Sequence, residues 1–103
     1  MAGKIKIRAQ RQGDVTEVKA LMRHPMETGL RKDQAGAAIP AHFIKEVAVT
    51  HGDRIVMQAH WGAAVSANPF LGVRFKGGEP GDTVRVTWTD NLGETDEGET
   101  TIR

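Results

Sequence analysis

The sequence predicts an all-β domain, and two observations carry this prediction. Short runs with alternating side-chain character recur along the chain, and turns rich in Gly, Pro and Asp separate them. A two-residue side-chain period bounded by turn residues is typical of strands that bury one face. About seven such strands and no convincing helix predict two antiparallel sheets packed face to face, an immunoglobulin-like β-sandwich.

Length and composition restrict the classes of function. The chain of 103 residues is expected to form a single domain over residues 1–103, and a chain of this size buries roughly 65% of the surface that its unfolded form exposes. The formal net charge of +1 gives no electrostatic basis for binding nucleic acid or an anionic membrane. The chain contains no cysteine, which excludes disulfides, thiolate metal sites and a cysteine nucleophile.

The amino-terminal sequence gives a first expectation for location. Residues 1–14 lack the continuous apolar run of a signal peptide, and no run elsewhere is long enough to span a membrane. Composition alone therefore predicts a soluble, cytoplasmic protein.

The amino-terminal half is expected to contain two strands followed by a long loop. Apolar alternation predicts strands at residues 4–10 and 15–23, and Pro25 closes the second of them. Residues 26–38 are polar and show no sustained period, so they predict a surface loop with at most one helical turn. Loops of this length in a compact domain are often functional. Pro40 is expected to open a third strand.

Residues 43–61 predict a hairpin whose register follows from its apolar residues. With a loop at residues 51–53, Val49 faces Ile55, and all the large apolar residues at odd positions share one inner face. The even positions, Ile44 among them, are then expected on the outer face.

Residues 68–94 predict a second hairpin, around which we expect the rest of the chain to pack. Two alternating runs flank a Gly-, Pro- and Asp-containing loop at residues 77–82. The residues expected to face the core are Leu71, Val73, Phe75, Val84, Val86 and Trp88. Residues 90–93 predict a tight turn, and the polar residues 95–102 predict a strand at the edge of a sheet.

Two sets of side chains are candidates for binding a metal. Met22, His24 and Met26 alternate, and thioether and imidazole ligands suit Cu(I), although a short match of this kind also fits a core strand running into a loop. His42 and His60 are expected near the same end of the middle hairpin, but no carboxylate is placed by spacing to complete a site.

The sequence offers no catalytic set. Ser66 is the only serine, and its surroundings do not match the pattern of a nucleophile elbow. The glycines of residues 77–81 join two strands, and no helix follows them to bind a phosphate.

Two segments together resemble a known family. Residues 23–44 contain the run R-H-P-M-E-T-G, and residues 66–94 contain A-N-P-F and W-T-D-N-L-G-E. These runs closely resemble the SoxZ family, the small subunits of the SoxYZ sulfur-carrier complex of thiosulfate oxidation. The runs are specific in combination, and the similarity extends over nearly the whole chain.

The resemblance implies an immunoglobulin-like sandwich without catalytic residues or cofactors. It implies a heterodimer with a SoxY-type subunit, whose C-terminal Gly-rich arm carries sulfur on a cysteine, and transient contact with other Sox enzymes. Because the present chain has no thiol, it cannot compete for the sulfur group on the SoxY-type subunit. The resemblance further implies a periplasmic location, reached by export together with SoxY, and this overrides the cytoplasmic expectation.

We expect the partner-binding residues among distinctive side chains that lack a predicted role in the core. These are His24, Pro25, Met26, Ile39, Pro69 and Phe70. Without a partner, the exposed patch is expected to favour homodimers. The main alternative hypothesis is a periplasmic copper-binding β-sandwich protein that uses Met22, His24 and Met26. A weaker alternative is a redox enzyme with a histidine-ligated iron on the same kind of sandwich.

Overall fold

The computed structural model describes residues 5–103 and contains seven strands in two antiparallel sheets. The strands are β1 (Lys6–Gln12), β2 (Val15–Leu21), β3 (Ile44–His51), β4 (Arg54–His60), β5 (Phe70–Lys76), β6 (Thr83–Asp90) and β7 (Thr95–Thr101). One sheet has the order β1-β2-β5 and the other the order β4-β3-β6-β7. The prediction of an all-β sandwich is confirmed. Residues 5–103 contain no helix that could cross a membrane.

The core lies between the two sheets and is formed by the alternating apolar residues. The side chains buried there are Ile5, Ala9, Val18, Ala20, Met22, Met26, Ile44, Val47, Val49, Phe75, Val84, Val86, Trp88 and Ile102. Full burial of a side chain such as valine or isoleucine stabilises the fold by about 1.5–3 kcal/mol. The core therefore draws on both sheets and on both ends of the described chain.

β5 and β6 do not form the hairpin that the sequence predicts. β5 pairs with β2 in the three-stranded sheet, whereas β6 lies between β3 and β7 in the other sheet. The loop of residues 77–82 connects β5 in one sheet to β6 in the other. Gly77, Gly78 and Gly81 in this loop all have positive φ, which glycine adopts without steric cost. The predicted inward faces of both strands are correct. Alternation identifies the face of a strand but not the sheet that it joins.

The β3–β4 hairpin is present, but the predicted register is wrong. Val49 pairs with Met57 rather than with Ile55, because the connecting loop has two residues, 52–53, instead of three, and because β4 contains one extra residue beside this pair. Ile55 consequently lies on the outside and is 59% exposed. A second irregularity at the start of β3 turns Ile44 into the core, where it is fully buried instead of facing outward. A bulge reverses which residues of a strand face inward, and a periodic pattern does not reveal it.

Residues 22–43 form the β2–β3 loop, which has no helical turn. β3 begins at Ile44, so the expectation that Pro40 opens this strand is wrong. Two isolated backbone bridges organise the loop, and they join Glu27 to His42 and Lys32 to Ala38. Much of the loop is exposed, as predicted, but Met22, His24 and Met26 near its start are buried.

β7 is an edge strand, as its charged residues predict. It pairs only with β6 among the described strands. Arg85 of β6 forms ion pairs with Glu97 at 3.1 Å and Glu99 at 2.7 Å. Charged side chains at an edge discourage pairing with another chain.

One side of the sandwich is closed by contacts between β1 and the end of the chain. The backbone N–H of Arg11 donates to the carbonyl of Arg103, and the N–H of Arg103 donates to the carbonyl of Ala9. Gly98 of β7 lies against Ile5, and a Cβ at this position would lie 2.9 Å from the Cβ of Ile5. The two strands therefore approach each other only because residue 98 has no side chain.

We expect Gly98→Ala to lower the free energy of unfolding by about 1–3 kcal/mol, because the added methyl group forces β1 and β7 apart. Urea unfolding of the two proteins measures the difference. Gly62→Ala is the matched control, since a Cβ there meets nothing within 4 Å. Equal unfolding midpoints for Gly98→Ala and the unsubstituted protein would show that the close approach of β1 and β7 is not a constraint.

Candidate functional site

The segments that carry the family resemblance meet at one end of the sandwich. The backbone N–H of His24 donates to Asn68 Oδ1 at 3.2 Å, and the N–H of Asn68 donates to the carbonyl of His24 at 2.9 Å. The N–H of Phe43 donates to Asn91 Oδ1 at 2.8 Å. These bonds join the start of the β2–β3 loop to the start of β5, and the start of β3 to the β6–β7 turn.

Asp90, the last residue of β6, is the centre of this end, and its side chain is fully buried. Its Oδ2 lies 3.0 Å from His24 Nε2 and 2.7 Å from His42 Nε2. Its Oδ1 accepts from the backbone N–H groups of Leu92 at 3.0 Å and Glu94 at 2.9 Å. Burial alone raises the pKa of Asp90, but the hydrogen bonds from His24, His42 and the backbone together outweigh burial and hold this pKa below its ordinary value. We call His24, His42, Asp90 and Glu94 the His–Asp cluster.

His24 is fixed in one tautomer. Its Nδ1 accepts from the backbone N–H of Met26 at 3.1 Å, so its ring proton lies on Nε2 and is donated to Asp90. The ring is buried and packs edge-on against Trp88, with 5.0 Å between ring centroids. Met26 has a φ of 50°, which is uncommon for a residue with a side chain. Burial of Met26 and its bond to His24 hold the backbone in this conformation.

His42 is the accessible histidine of the cluster, with 26% of its side chain exposed. Its Nε2 lies between two carboxylates, 2.7 Å from Asp90 Oδ2 and 3.1 Å from Glu94 Oε1. A cavity of about 360 Å³ opens beside it. The residues lining this cavity are Arg23, His24, Pro25, His42, Trp88, Asp90, Glu94, Thr95 and Asp96.

The structure does not support either metal site considered from the sequence. Met22 is fully buried, and the sulfur of Met26 accepts a backbone N–H at 3.3 Å. Both ring nitrogens of His24 are engaged within the chain, so they do not offer a lone pair to copper. His42 joins His24 and Asp90, and His60 is not part of this group.

Three of the six residues expected to bind a partner have roles within the fold. His24, Met26 and Pro69 are buried, so the expectation that they lack a core-packing role is wrong. Pro25 and Phe70 are exposed, and Ile39 is partly buried. Binding of a partner by any of the six stays a prediction.

Local spacing in the sequence does not mark Asp90, Glu94 or Trp88 as members of a site. The pattern predicts only a turn at Asp90, and 66 positions separate this residue from His24. Bonds between residues so far apart are not encoded in local spacing. The one available signal was the run W-T-D-N-L-G-E, which contains all three of these residues.

We expect Asp90→Asn to lower the free energy of unfolding by about 3 kcal/mol at about pH 7, because it removes a buried carboxylate with four hydrogen bonds. The folded-state pKa of Asp90 lies below that of the unfolded chain, so the stabilisation by the carboxylate is complete above an unfolded-chain pKa of about 3.9. It is lost as the pH falls through the folded-state pKa. Urea unfolding at several pH values should therefore show the difference narrowing in acid.

Asp82→Asn is the matched control for this substitution. Asp82 also bonds to a histidine, His51, at 2.8 Å, but 39% of its side chain is exposed. The pKa of Asp82 is lowered by the hydrogen bond from His51 and by that from the backbone N–H of Glu79. Because this pair is screened by solvent, we expect a much smaller loss of stability than for Asp90→Asn. Equal losses would contradict the central role of the buried carboxylate.

Comparisons with known proteins place the chain by fold and by family. It is similar in fold to a hypothetical protein from Pyrococcus horikoshii OT3, with a TM-score of 0.67 and 16% identity over 100% of this chain and 95% of that chain. It is also similar to superoxide reductase in the oxidized state, with a TM-score of 0.66 and 15% identity over 99% and 89% of the two chains. At these identities the likeness concerns the fold alone. A comparison with curated proteins found no match.

The family comparison covers nearly the whole chain and agrees with the resemblance seen in the sequence. The family model described as sulphur oxidation protein SoxZ matches residues 5–101. The chain therefore belongs to the SoxZ family of sulphur oxidation proteins.

Proposed function

We propose that this chain is the non-catalytic scaffold subunit of a periplasmic sulfur carrier and that it binds a SoxY-type subunit, which holds sulfur intermediates on a C-terminal cysteine arm. Membership of the SoxZ family is the observation that carries this proposal, because it implies a subunit of the Sox sulfur-oxidation system. The chain contains no cysteine, so it has no thiol that could take the sulfur group from the partner's arm.

The His–Asp cluster supports a scaffold role. The carboxylate of Asp90 accepts four hydrogen bonds from the chain itself. Both nitrogens of His24 are also engaged. Groups that are already bonded in this way hold segments of the chain together and are not available as a general base for a substrate.

The surface that best suits a partner lies on the outer face of the three-stranded sheet. Phe70 of β5 is 64% exposed and pairs across the strands with Leu21 of β2, which is 41% exposed. Lys6, Arg8 and Lys19 line the same shallow pocket as this apolar pair. Aromatic residues are favoured in the centres of interfaces. We infer that the partner covers the Leu21–Phe70 pair with an apolar surface and places acidic groups near its basic rim.

β5 offers the partner a second kind of contact. It pairs only with β2 among the strands of residues 5–103, so one edge of its backbone is open. Its first four residues, 70–73, carry no charge that would discourage strand pairing, in contrast to β7. Leu71 and Val73 face the core from this strand but are only partly buried. A partner strand added along β5 would complete their burial.

We expect Phe70→Ala to weaken the heterodimer by about 2 kcal/mol or more, which is roughly a 30-fold rise in Kd. The chain is co-expressed with its SoxY-type subunit, and the Kd of the purified pair is measured by calorimetry. Intact-mass analysis of the partner identifies the cysteine-bearing arm by mass shifts that a reductant removes. Unfolding of the isolated chain should change little, because the Phe70 side chain is mostly exposed.

Ile55→Ala is the matched control for the partner surface. Ile55 is another large apolar residue, 59% exposed, but it lies on β4 of the other sheet. Its substitution should leave the Kd unchanged. Failure of the chain to bind any cysteine-bearing partner would refute the scaffold proposal, whereas an unchanged Kd for Phe70→Ala alone would move the interface away from β5.

Met26→Ala separates a role in the fold from a role in the interface. Met26 is buried in the core, so we expect its truncation to lower the free energy of unfolding by about 2–5 kcal/mol. Urea unfolding of the isolated chain measures this effect without any partner. An unchanged unfolding midpoint together with a weakened heterodimer would return Met26 to the partner surface.

A further inference from the structure

The two histidines of the His–Asp cluster differ in what they can bind. His24 Nδ1 accepts the N–H of Met26, so its Nε2 must keep the proton and cannot offer a lone pair. No residue within 5–103 bonds to His42 Nδ1, so His42 can hold its proton on Nδ1 and present a free Nε2 lone pair to the cluster. Only His42 can therefore act as an imidazole ligand here.

More carboxylate oxygens lie around His42 Nε2 than a single N–H can serve as a hydrogen-bond donor. Its Nε2 lies within 3.1 Å of carboxylate oxygens of both Asp90 and Glu94, and one N–H cannot bond fully to both. Asp96 and Arg23 also line this cavity, so its lining residues include three carboxylates and one guanidinium. Two negative charges are left over when the histidines are neutral. A dication would balance this charge. The N–H proton of a neutral His42 adds no net charge and therefore does not balance it.

Trp88 provides an independent sign of a ligand. It lines the same cavity and is 7% exposed. Its buried Nε1–H has no hydrogen-bond partner within residues 5–103. A buried donor without an acceptor costs about 1–3 kcal/mol. A water or anion bound in the cavity would supply the missing acceptor.

We propose that the chain binds one divalent metal ion of the zinc class beside the cavity, through His42 Nε2, Asp90 Oδ2 and Glu94 Oε1. Ligand atoms around a tetrahedral zinc ion lie roughly 3.3 Å apart, so the 2.7 Å separation must open by about 0.6 Å and the 3.1 Å separation by about 0.2 Å. The Glu94 side chain is 64% exposed, so it can turn toward Asp90 to complete the set. The fourth position faces the cavity and takes a water molecule. The inference does not depend on the identity of the protein partner.

The chemistry of these ligands selects the kind of metal. One imidazole nitrogen and two carboxylate oxygens suit Zn²⁺ and similar divalent ions, whereas Cu(I) prefers thioether and thiolate sulfur. When the metal binds, the proton of His42 moves from Nε2 to Nδ1, and the metal replaces the contacts of Nε2–H with Asp90 and Glu94. His24 keeps its bond to Asp90 Oδ2 and thereby acts as a positioning residue for a metal ligand.

Titration of the full chain tests the proposal. Purified protein is stripped with a chelator and titrated with ZnCl₂ by calorimetry, and Co²⁺ is used in parallel because its visible spectrum reports coordination geometry. We expect one ion per chain. We expect Glu94→Gln to weaken binding by at least 10-fold, the lower end of the ~10–100-fold cost of perturbing a metal site. We expect His42→Ala to abolish the stoichiometric site.

The controls exclude effects of folding and of other histidines. Glu94 has a side chain that is 64% exposed, so Glu94→Gln is expected to fold normally even where His42→Ala does not. His51 bonds to only one carboxylate, that of Asp82, and His51→Ala should bind zinc as the unsubstituted chain does. A chain without a stoichiometric zinc site, or a Glu94→Gln variant with undiminished affinity, would overturn the proposal.

Discussion

Burial of the Asp90 carboxylate is the constraint on which this end of the fold depends. A buried charge without partners costs several kcal/mol, so the chain must supply hydrogen-bond donors. The donors come from three places, namely His24 and His42 at either end of the β2–β3 loop and the backbone of the β6–β7 turn. If the β2–β3 loop moved away from the sandwich, the buried carboxylate of Asp90 would lose its hydrogen bonds from His24 and His42. Polar bonds therefore order this irregular segment together with the burial of Met22 and Met26.

The same network determines where the outer surface of β5 begins. Asn68 has a φ of 53° and is bonded through its backbone and its side chain to His24. Phe70 follows two residues later, and the carbonyl of Pro69 accepts the N–H of Met22. The exposed phenyl ring is thus connected to the buried carboxylate by a short path of bonded residues. A ligand that tightens the His–Asp cluster would also hold the start of the proposed partner surface.

The sequence predicts the all-β class and the inward faces of most strands, because a side-chain period of two reports burial directly. It does not predict how strands are distributed between the sheets, since β5 and β6 show the same alternation while they lie in opposite sheets. The sequence also does not predict the bulges beside Val49 and at the start of β3, because one extra residue in a strand does not change the composition. The sequence does not predict the His–Asp cluster, because Asp90 comes close to His24 and His42 only in the folded chain.

The placement of the distinctive runs changes how they are understood. An apolar core tolerates exchange among residues of similar volume, whereas a buried polar network requires particular donors and acceptors at particular places. The runs R-H-P-M-E-T-G and W-T-D-N-L-G-E supply His24, Met26, Asp90 and Glu94 to one such network, so a distinctive run does not by itself mark an interface. A surface for a partner must instead be sought among residues that the network leaves exposed. Phe70 meets that condition because its side chain takes no part in the network, while the backbone before it is held in place by the network.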